Sequence, residues 1–253
     1  MILDNFHLTN QVAIVTGCNT GLGQGMALAL AQAGADIVGI NVSAPDETRG
    51  QIEATGRSFF DLRADLSDTA SIPDLLARAK ARFGRVDILV NNAGIIRRAD
   101  SLEFTEADWD AVIDTNLKSV FFLSQAVARG MIADGAGGKI INIASMLSFQ
   151  GGIRVPAYTA SKSGLAGLTK ALANEWAAKG VNVNAIAPGY VETNNTEALR
   201  ADPDRSRDIL GRIPAGRWGH PSDIGGAAVF LASSASDYVH GITLPVDGGW
   251  LAR

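Results

Sequence analysis

Short apolar runs without polar alternation recur along this chain, each separated from the next by a longer helical stretch. No other feature restricts the fold as much. Gln11–Thr16, Asp36–Val42, Val86–Val90, Lys139–Ile143, Val181–Ile186 and Thr243–Val246 read as strands, and Gly25–Ala33, Ile72–Phe83, Ala107–Ala128, Tyr158–Lys179 and Ser222–Leu231 as helices. A strand that is apolar throughout is buried on both faces, which requires a parallel sheet covered by helices on each side. Strand–helix–strand units of this size predict a doubly wound α/β fold with a sheet of about seven strands. No repeat, low-complexity stretch or Pro/Ser-rich linker interrupts the pattern, so residues 1–253 are expected to form one domain. The one long irregular segment, 190–221, is rich in charge and turn formers. It is expected to be a flexible flap over the substrate.

Composition excludes several classes. With 253 residues, 47% hydrophobic and 19% charged, the chain can bury a full core and is not disordered. A net charge of −4 argues against a nucleic-acid partner, which calls for a basic stripe. One cysteine and three histidines allow neither a disulfide framework nor a Cys/His metal centre. No apolar run reaches the ~18 residues of a membrane span, and the start MILDNFHLTN lacks a signal-peptide pattern. The expectation is a soluble, cytoplasmic protein with no metal and no membrane partner. Glycine is in excess, 28 of 253 residues against an average of about 7%.

Part of that excess lies in Thr16-Gly17-Cys18-Asn19-Thr20-Gly21-Leu22-Gly23, between the first strand and the first helix. Glycines there let the chain turn tightly and let a diphosphate approach the backbone at a helix N-terminus. The spacing G-x-x-x-G-x-G is neither G-x-G-x-x-G nor a P-loop. The residue that selects the cofactor should end the second strand, where an acid binds the ribose 2′-hydroxyl. That position holds Asn41, which can still hydrogen-bond a hydroxyl, and no Arg or Lys lies in 18–20 or 41–44 to meet a 2′-phosphate. NAD is therefore expected over NADP.

Tyr158 and Lys162 open a helix one turn apart and share a face. A phenol of pKa ~10 is a poor base at neutral pH unless a cation favours its phenolate, and Lys162 supplies one. Y-x-x-x-K alone is a common pattern. Ser145, at the end of strand Lys139–Ile143, gives it weight, because Ser145 and Tyr158 would both lie at the carboxyl edge of the sheet, where ligands bind in open α/β folds.

At these residues the chain resembles the short-chain dehydrogenases/reductases, over nearly its whole length. The motifs that carry the resemblance are Thr16-Gly17…Gly21-Leu22-Gly23, Asp65-Leu66, Asn91-Asn92-Ala93-Gly94, Asn116, Ser145, Tyr158/Lys162 and Pro188-Gly189 with Thr193. The resemblance implies a Rossmann domain in which Tyr158 is the acid/base, Ser145 polarises the substrate oxygen, and Lys162 lowers the tyrosine pKa and binds the nicotinamide ribose. It implies that Asn116 holds a water linking Lys162 to solvent. Gly17, Asn19, Gly21, Leu22 and Gly23 would hold the diphosphate, Asp65 and Leu66 the adenine, Asn92, Ala93 and Gly94 the ribose side, and Pro188, Val191 and Thr193 the nicotinamide. Asn41 departs from the family pattern, where NAD-using members often carry Asp. A homotetramer is implied too, built through the helices after Ala107 and Tyr158 and the C-terminal strand.

Ile95-Ile96-Arg97-Arg98 follows the Asn91–Gly94 motif at the carboxyl end of a strand. A guanidinium there suits a substrate carboxylate, which it can grip with two parallel hydrogen bonds. This run, with Ala187-Pro188-Gly189-Tyr190 and Arg217-Trp218-Gly219, is similar to the sugar-acid branch of the family, the gluconate and deoxygluconate dehydrogenases of hexuronate breakdown. The resemblance implies a deoxyhexulosonate-type substrate met by Arg97, Arg98, Ser145, Met146 and Tyr158. Polyol, steroid and acyl-carrier ketoreductases of the same family are the alternatives, and an NAD-binding regulatory protein is the non-enzymatic one. His7, His220 and His240 are scattered and read as structural, Trp218 and Tyr190 as packing, and Cys18 as a matter of size within the glycine loop. No G-x-S-x-G elbow occurs.

Overall fold

Seven parallel strands lie side by side in the order β3-β2-β1-β4-β5-β6-β7. They are β1 (Val12–Thr16), β2 (Asp36–Asn41), β3 (Phe59–Arg63), β4 (Ile88–Asn91), β5 (Gly138–Ile143), β6 (Val181–Pro188) and β7 (Thr243–Val246). The structure is a computed structural model that describes residues 1–253. The helices are α1 (Gly21–Gln32), α2 (Asp46–Glu53), α3 (Ile72–Phe83), α4 (Glu106–Ile113), α5 (Ser119–Ala133), α6 (Pro156–Trp176), α7 (Glu197–Ala201), α8 (Pro203–Arg212) and α9 (Pro221–Ala232).

Alternate residues of each strand feed opposite layers. Ala13 and Val15 of β1 join Ile37, Val90 and Ile141 against α1 and α9, whereas Val12 and Ile14 join Val38, Leu89 and Ile140 against α3, α5 and α6. In the first layer α1 and α9 approach each other closely through small residues. A Cβ on Gly225 would stand 2.7 Å from the Cβ of Ala29. In the second layer, Asn91 Nδ2 donates to Ser124 Oγ and Asn142 Oδ1, each at 2.9 Å, and Asn142 Nδ2 donates to Thr169 Oγ1 at 2.9 Å. These buried amides tie β4, β5, α5 and α6 together with partners for their polar atoms.

Four elements, β3, α2, α7 and α8, have no counterpart among the strands and helices expected from the sequence. Strand β3 carries Asp61 and Arg63, which break the apolar run, and α2 is largely polar. Segment 190–221 differs from the irregular loop expected of it. Val191 pairs with Gly219 in an isolated parallel bridge, and α7 and α8 fill most of what lies between. Asp202 starts α8 by accepting from the amides of Asp204 and Arg205, both at 3.1 Å. Ile209 then anchors the helix beside Met146, Ile213, Trp218 and Trp250. No helix is long and apolar enough to cross a membrane.

Candidate active site

Between β1 and β4 the order of the strands reverses, and a crevice opens there outside their carboxyl ends. It is a cleft of about 1160 Å³. Thr16, closing β1, accepts through Oγ1 from the amides of Asn92 and Ala93 at 2.9 and 2.8 Å. Asn92 returns its side-chain amide to the carbonyls of Thr16 and Gly17 at 2.9 and 3.0 Å. Gly17 and Gly21 have φ of +63° and +58°, in the left-handed region that favours glycine. A Cβ at Gly23 would lie 2.5 Å from Asn92 Nδ2 and closer still to the Gly17 carbonyl oxygen. No side chain caps the first turn of α1 at Thr20. Gly17, Asn19, Gly21, Leu22 and Gly23 all line the cleft. Free N–H groups, a positive helix end and bare backbone are what a dinucleotide diphosphate requires, so the loop fits such a cofactor.

At the far end, Asp65 and Leu66 line the wall. The Ser67 amide donates to Asp65 at 2.9 Å and holds that carboxyl below its ordinary range. Asn41 requires a correction. It is only 2% exposed, is absent from the cleft wall, and turns its amide to Asp61 at 3.3 Å. Gly39, with no side chain of its own, leaves the space into which Asn41 folds beside Cys18. The wall there is made by Val42 and Ser43, and Ser43 Oγ accepts from Asn19 Nδ2 at 2.8 Å. The sequence reading missed Ser43, because a strand end fixes where the chain leaves the sheet but not which of two successive side chains turns back. Burial raises the Cys18 thiol to about 11, so it stays protonated.

The other half of the cleft holds Ser145, Met146, Tyr158 and Lys162. Ser145 stands two residues beyond β5 and accepts from the Leu147 amide at 3.1 Å. Pro156 begins α6, which places Tyr158 in its first turn and Lys162 one turn later. Lys162 Nζ donates to the Ile143 carbonyl at 2.6 Å and sits 5.6 Å from the Tyr158 ring centroid. Burial raises the phenol of Tyr158, while the Ser145 hydroxyl and the charge of Arg98 pull it down. Two cations thus stand near the phenol, Lys162 one turn along α6 and Arg98 from the loop after β4. Burial lowers Lys162 itself to about 8.

A lysine whose pKa falls on folding costs stability while it is charged, and the cost is relieved as pH rises from about 8 toward the ordinary value of 10.5. Lys162→Met should therefore melt higher than the parent below pH 8, with the gap narrowing above it, while turnover collapses. Parallel melting curves at every pH would contradict this.

Asn116 lies outside the cleft wall, fully buried. A π-helical turn, Asp114–Lys118, interrupts the long helix between α4 and α5 and carries it. Its Oδ1 accepts from the Ile95 amide at 2.8 Å, and its Nδ2 donates to the Ile95 carbonyl at 2.9 Å and to Ser161 Oγ at 3.4 Å. Both ends of the amide thus brace the strand-end loop that carries Arg97 and Arg98. Those two arginines differ. Arg97 pairs with Asp108 at 3.4 Å, whereas Arg98 has no carboxylate partner and donates to the Asn195 carbonyl at 3.3 Å. Ala93, Gly94, Pro188, Val191 and Thr193 complete the lining, as does Tyr190. Trp218 packs edge-on against Tyr190, with centroids 5.5 Å apart, and does not line the cleft. His220 caps α9, and His240 contacts Asn182.

A family model described as enoyl-(acyl carrier protein) reductase matches residues 17–251. The chain is 68% identical over 253 residues to a 2-dehydro-3-deoxy-D-gluconate 5-dehydrogenase of Escherichia coli K12, covering 100% of both chains. The chain belongs to the short-chain dehydrogenase/reductase family. A second curated short-chain dehydrogenase/reductase, the Bacillus subtilis 2-dehydro-3-deoxy-D-gluconate 5-dehydrogenase, is 57% identical over 99% of this chain and 98% of its own. A gluconate 5-dehydrogenase from Burkholderia cenocepacia, solved in complex with NADP and tartrate, superposes with a TM-score of 0.94 at 41% identity, covering 100% of each chain. As a short-chain dehydrogenase/reductase the chain is an oxidoreductase that works with a nicotinamide cofactor, and the glycine cradle and the Ser145–Tyr158 pair line one cleft.

Proposed function

We propose that the chain is an NAD-dependent enzyme that interconverts a ketone and a secondary alcohol on a deoxyhexulosonate-type sugar acid. The pair assigned to it is 2-dehydro-3-deoxy-D-gluconate and 3-deoxy-D-glycero-2,5-hexodiulosonate, in hexuronate (pectin) breakdown. The observation that carries this reading is Arg98, a guanidinium with no carboxylate partner that lines the same cleft as Ser145 and Tyr158. The relatives named above supply the substrate class.

Bound nicotinamide supplies the hydride donor or acceptor. The substrate oxygen lies between Ser145 Oγ and the Tyr158 hydroxyl, two donors that stabilise charge growing on it. Tyr158 moves the proton at its hydroxyl oxygen. Lys162 holds the ribose from one turn along α6. Gly17, Asn19 and Gly21–Gly23 hold the diphosphate, Asp65 and Leu66 the adenine, and Asn92–Gly94 with Pro188, Val191 and Thr193 the remaining surface. Segment 190–221 closes over the substrate. NAD is favoured because no Arg or Lys lines the adenosine end, Arg49 of α2 being stacked on Phe59 and Arg63 of β3 paired with Asp61. A homotetramer is supported by apolar side chains left exposed on α4 and α5, Trp109 and Phe122, and by Tyr238 and Ile242 leading into β7.

Initial rates with NAD and NADP on 2-dehydro-3-deoxy-D-gluconate, gluconate and a neutral polyol test the reading. NAD with the deoxy acid should give the highest kcat/KM, and a preference for the polyol would overturn it. Arg98→Gln should raise KM for acids by ~10–100-fold, the worth of a charge-assisted hydrogen bond, and move KM for the polyol by less than about threefold. Arg97→Gln should do less, because Asp108 already neutralises Arg97. Equal losses on acid and polyol would remove the carboxylate role.

A further inference from the structure

The connection from Ser145 to α6 carries a polar side chain that the chemistry above leaves unused. Gln150 lies on the cleft wall, its backbone amide held by the Met146 carbonyl at 3.2 Å. Its Oε1 accepts from Trp250 Nε1 and from Arg212 Nη2, each at 3.3 Å. Both donors are themselves fixed. Trp250 is buried, the Arg212 guanidinium stacks 4.0 Å over its ring, and Arg253 donates to the carbonyls of Gly211 and Arg212 at 2.8 and 3.2 Å. Two donors on one atom decide which end of a carboxamide is oxygen. The NH2 group is thereby turned away from them, donates to no protein acceptor, and is not buried.

We infer that Gln150 is a specificity-determining residue, its Nε2 donating to a hydroxyl oxygen of the substrate beyond the reacting carbon. Trp250 and Arg212 are positioning residues that hold the amide in that orientation. Arg212 belongs to α8, so docking of that helix and presentation of the donor are one event. The inference rests on the sugar-acid reading, since a substrate with no oxygen beyond the reacting carbon would gain nothing from Gln150.

Gln150→Glu separates this role from a structural one. Glutamate keeps an acceptor for Trp250 and Arg212, so the contact between α8 and the C-terminal segment survives, but it presents an oxygen where the amide presented N–H. KM for the sugar acid should rise at least ~10-fold, with kcat within about threefold and cofactor affinity and melting temperature at the parental level. The rise should shrink to less than about threefold on a simple secondary alcohol without further oxygens. Trp250→Phe, which keeps the ring under Arg212 and removes one of the two donors, should raise KM for the acid several-fold with kcat retained. A parental KM in Gln150→Glu, an equal rise on both substrates, or a loss of cofactor affinity in step with KM would each overturn the inference. Absence of turnover by the parent on any sugar acid would instead overturn the proposed function.

Discussion

Tyr158→Phe should lower turnover by ~10²–10⁴-fold, the usual worth of a positioned acid/base, while the protein still folds and binds its cofactor. The substitution removes one oxygen and keeps the ring that lies 5.6 Å from Lys162 Nζ. Its effect is therefore confined to the proton and to half of the pair that faces the substrate oxygen. Ser145, held by the Leu147 amide at 3.1 Å, remains in place and accounts for the residual rate. Steady-state kinetics beside fluorescence titration of the reduced cofactor make the check. Turnover within tenfold of the parent, or a loss of cofactor affinity that explains the whole defect, would remove Tyr158 from the role of acid/base.

Gly23→Ala should act in the glycine loop and through binding. The new methyl group would lie 2.5 Å from Asn92 Nδ2, and the backbone of Gly17 is nearer still. Neither neighbour can yield cheaply, because Asn92 bridges the Thr16 and Gly17 carbonyls and thereby fixes the loop against the end of β4. Overpacking of this kind costs ~1–3 kcal/mol, and it falls on the segment that must fit the diphosphate. Cofactor Kd should rise by roughly 10–100-fold, with a lower melting temperature and a smaller stabilisation by added cofactor. Calorimetric titration reads the first and thermal unfolding the other two. Parental affinity would show that the diphosphate does not rest on Gly23.

Much of this site was legible in the chain. The glycine spacing, Ser145 and the Tyr158/Lys162 pair are local patterns tied to strand ends and one helix face, and the fold brings those places together by its topology alone. Strand β3 was not legible because the charged Asp61 and Arg63 leave only a short apolar run in it. Helices α7 and α8 were hidden by polar faces, since Ile209 finds its partners only in Met146, Trp218 and Trp250, far away in sequence. Asn41 occupied the expected position but folds inward, a choice made by the vacant side of Gly39. Asn116, Gln150 and the difference between Arg97 and Arg98 depend on long-range partners, which no spacing rule reports.

In the proposed reaction, hydride leaves a secondary alcohol carbon of a sugar acid in the cleft lined by Arg98 and Tyr158. Oxidation of 2-dehydro-3-deoxy-D-gluconate carrying deuterium at C5 tests it most directly, with mass analysis of the nicotinamide product. The parent enzyme should place one deuterium in the reduced nicotinamide and turn over more slowly than with the unlabelled acid, and Tyr158→Phe should give no label above background in the same time. Reduced nicotinamide that forms without the label, or no reduction with either cofactor, would contradict it.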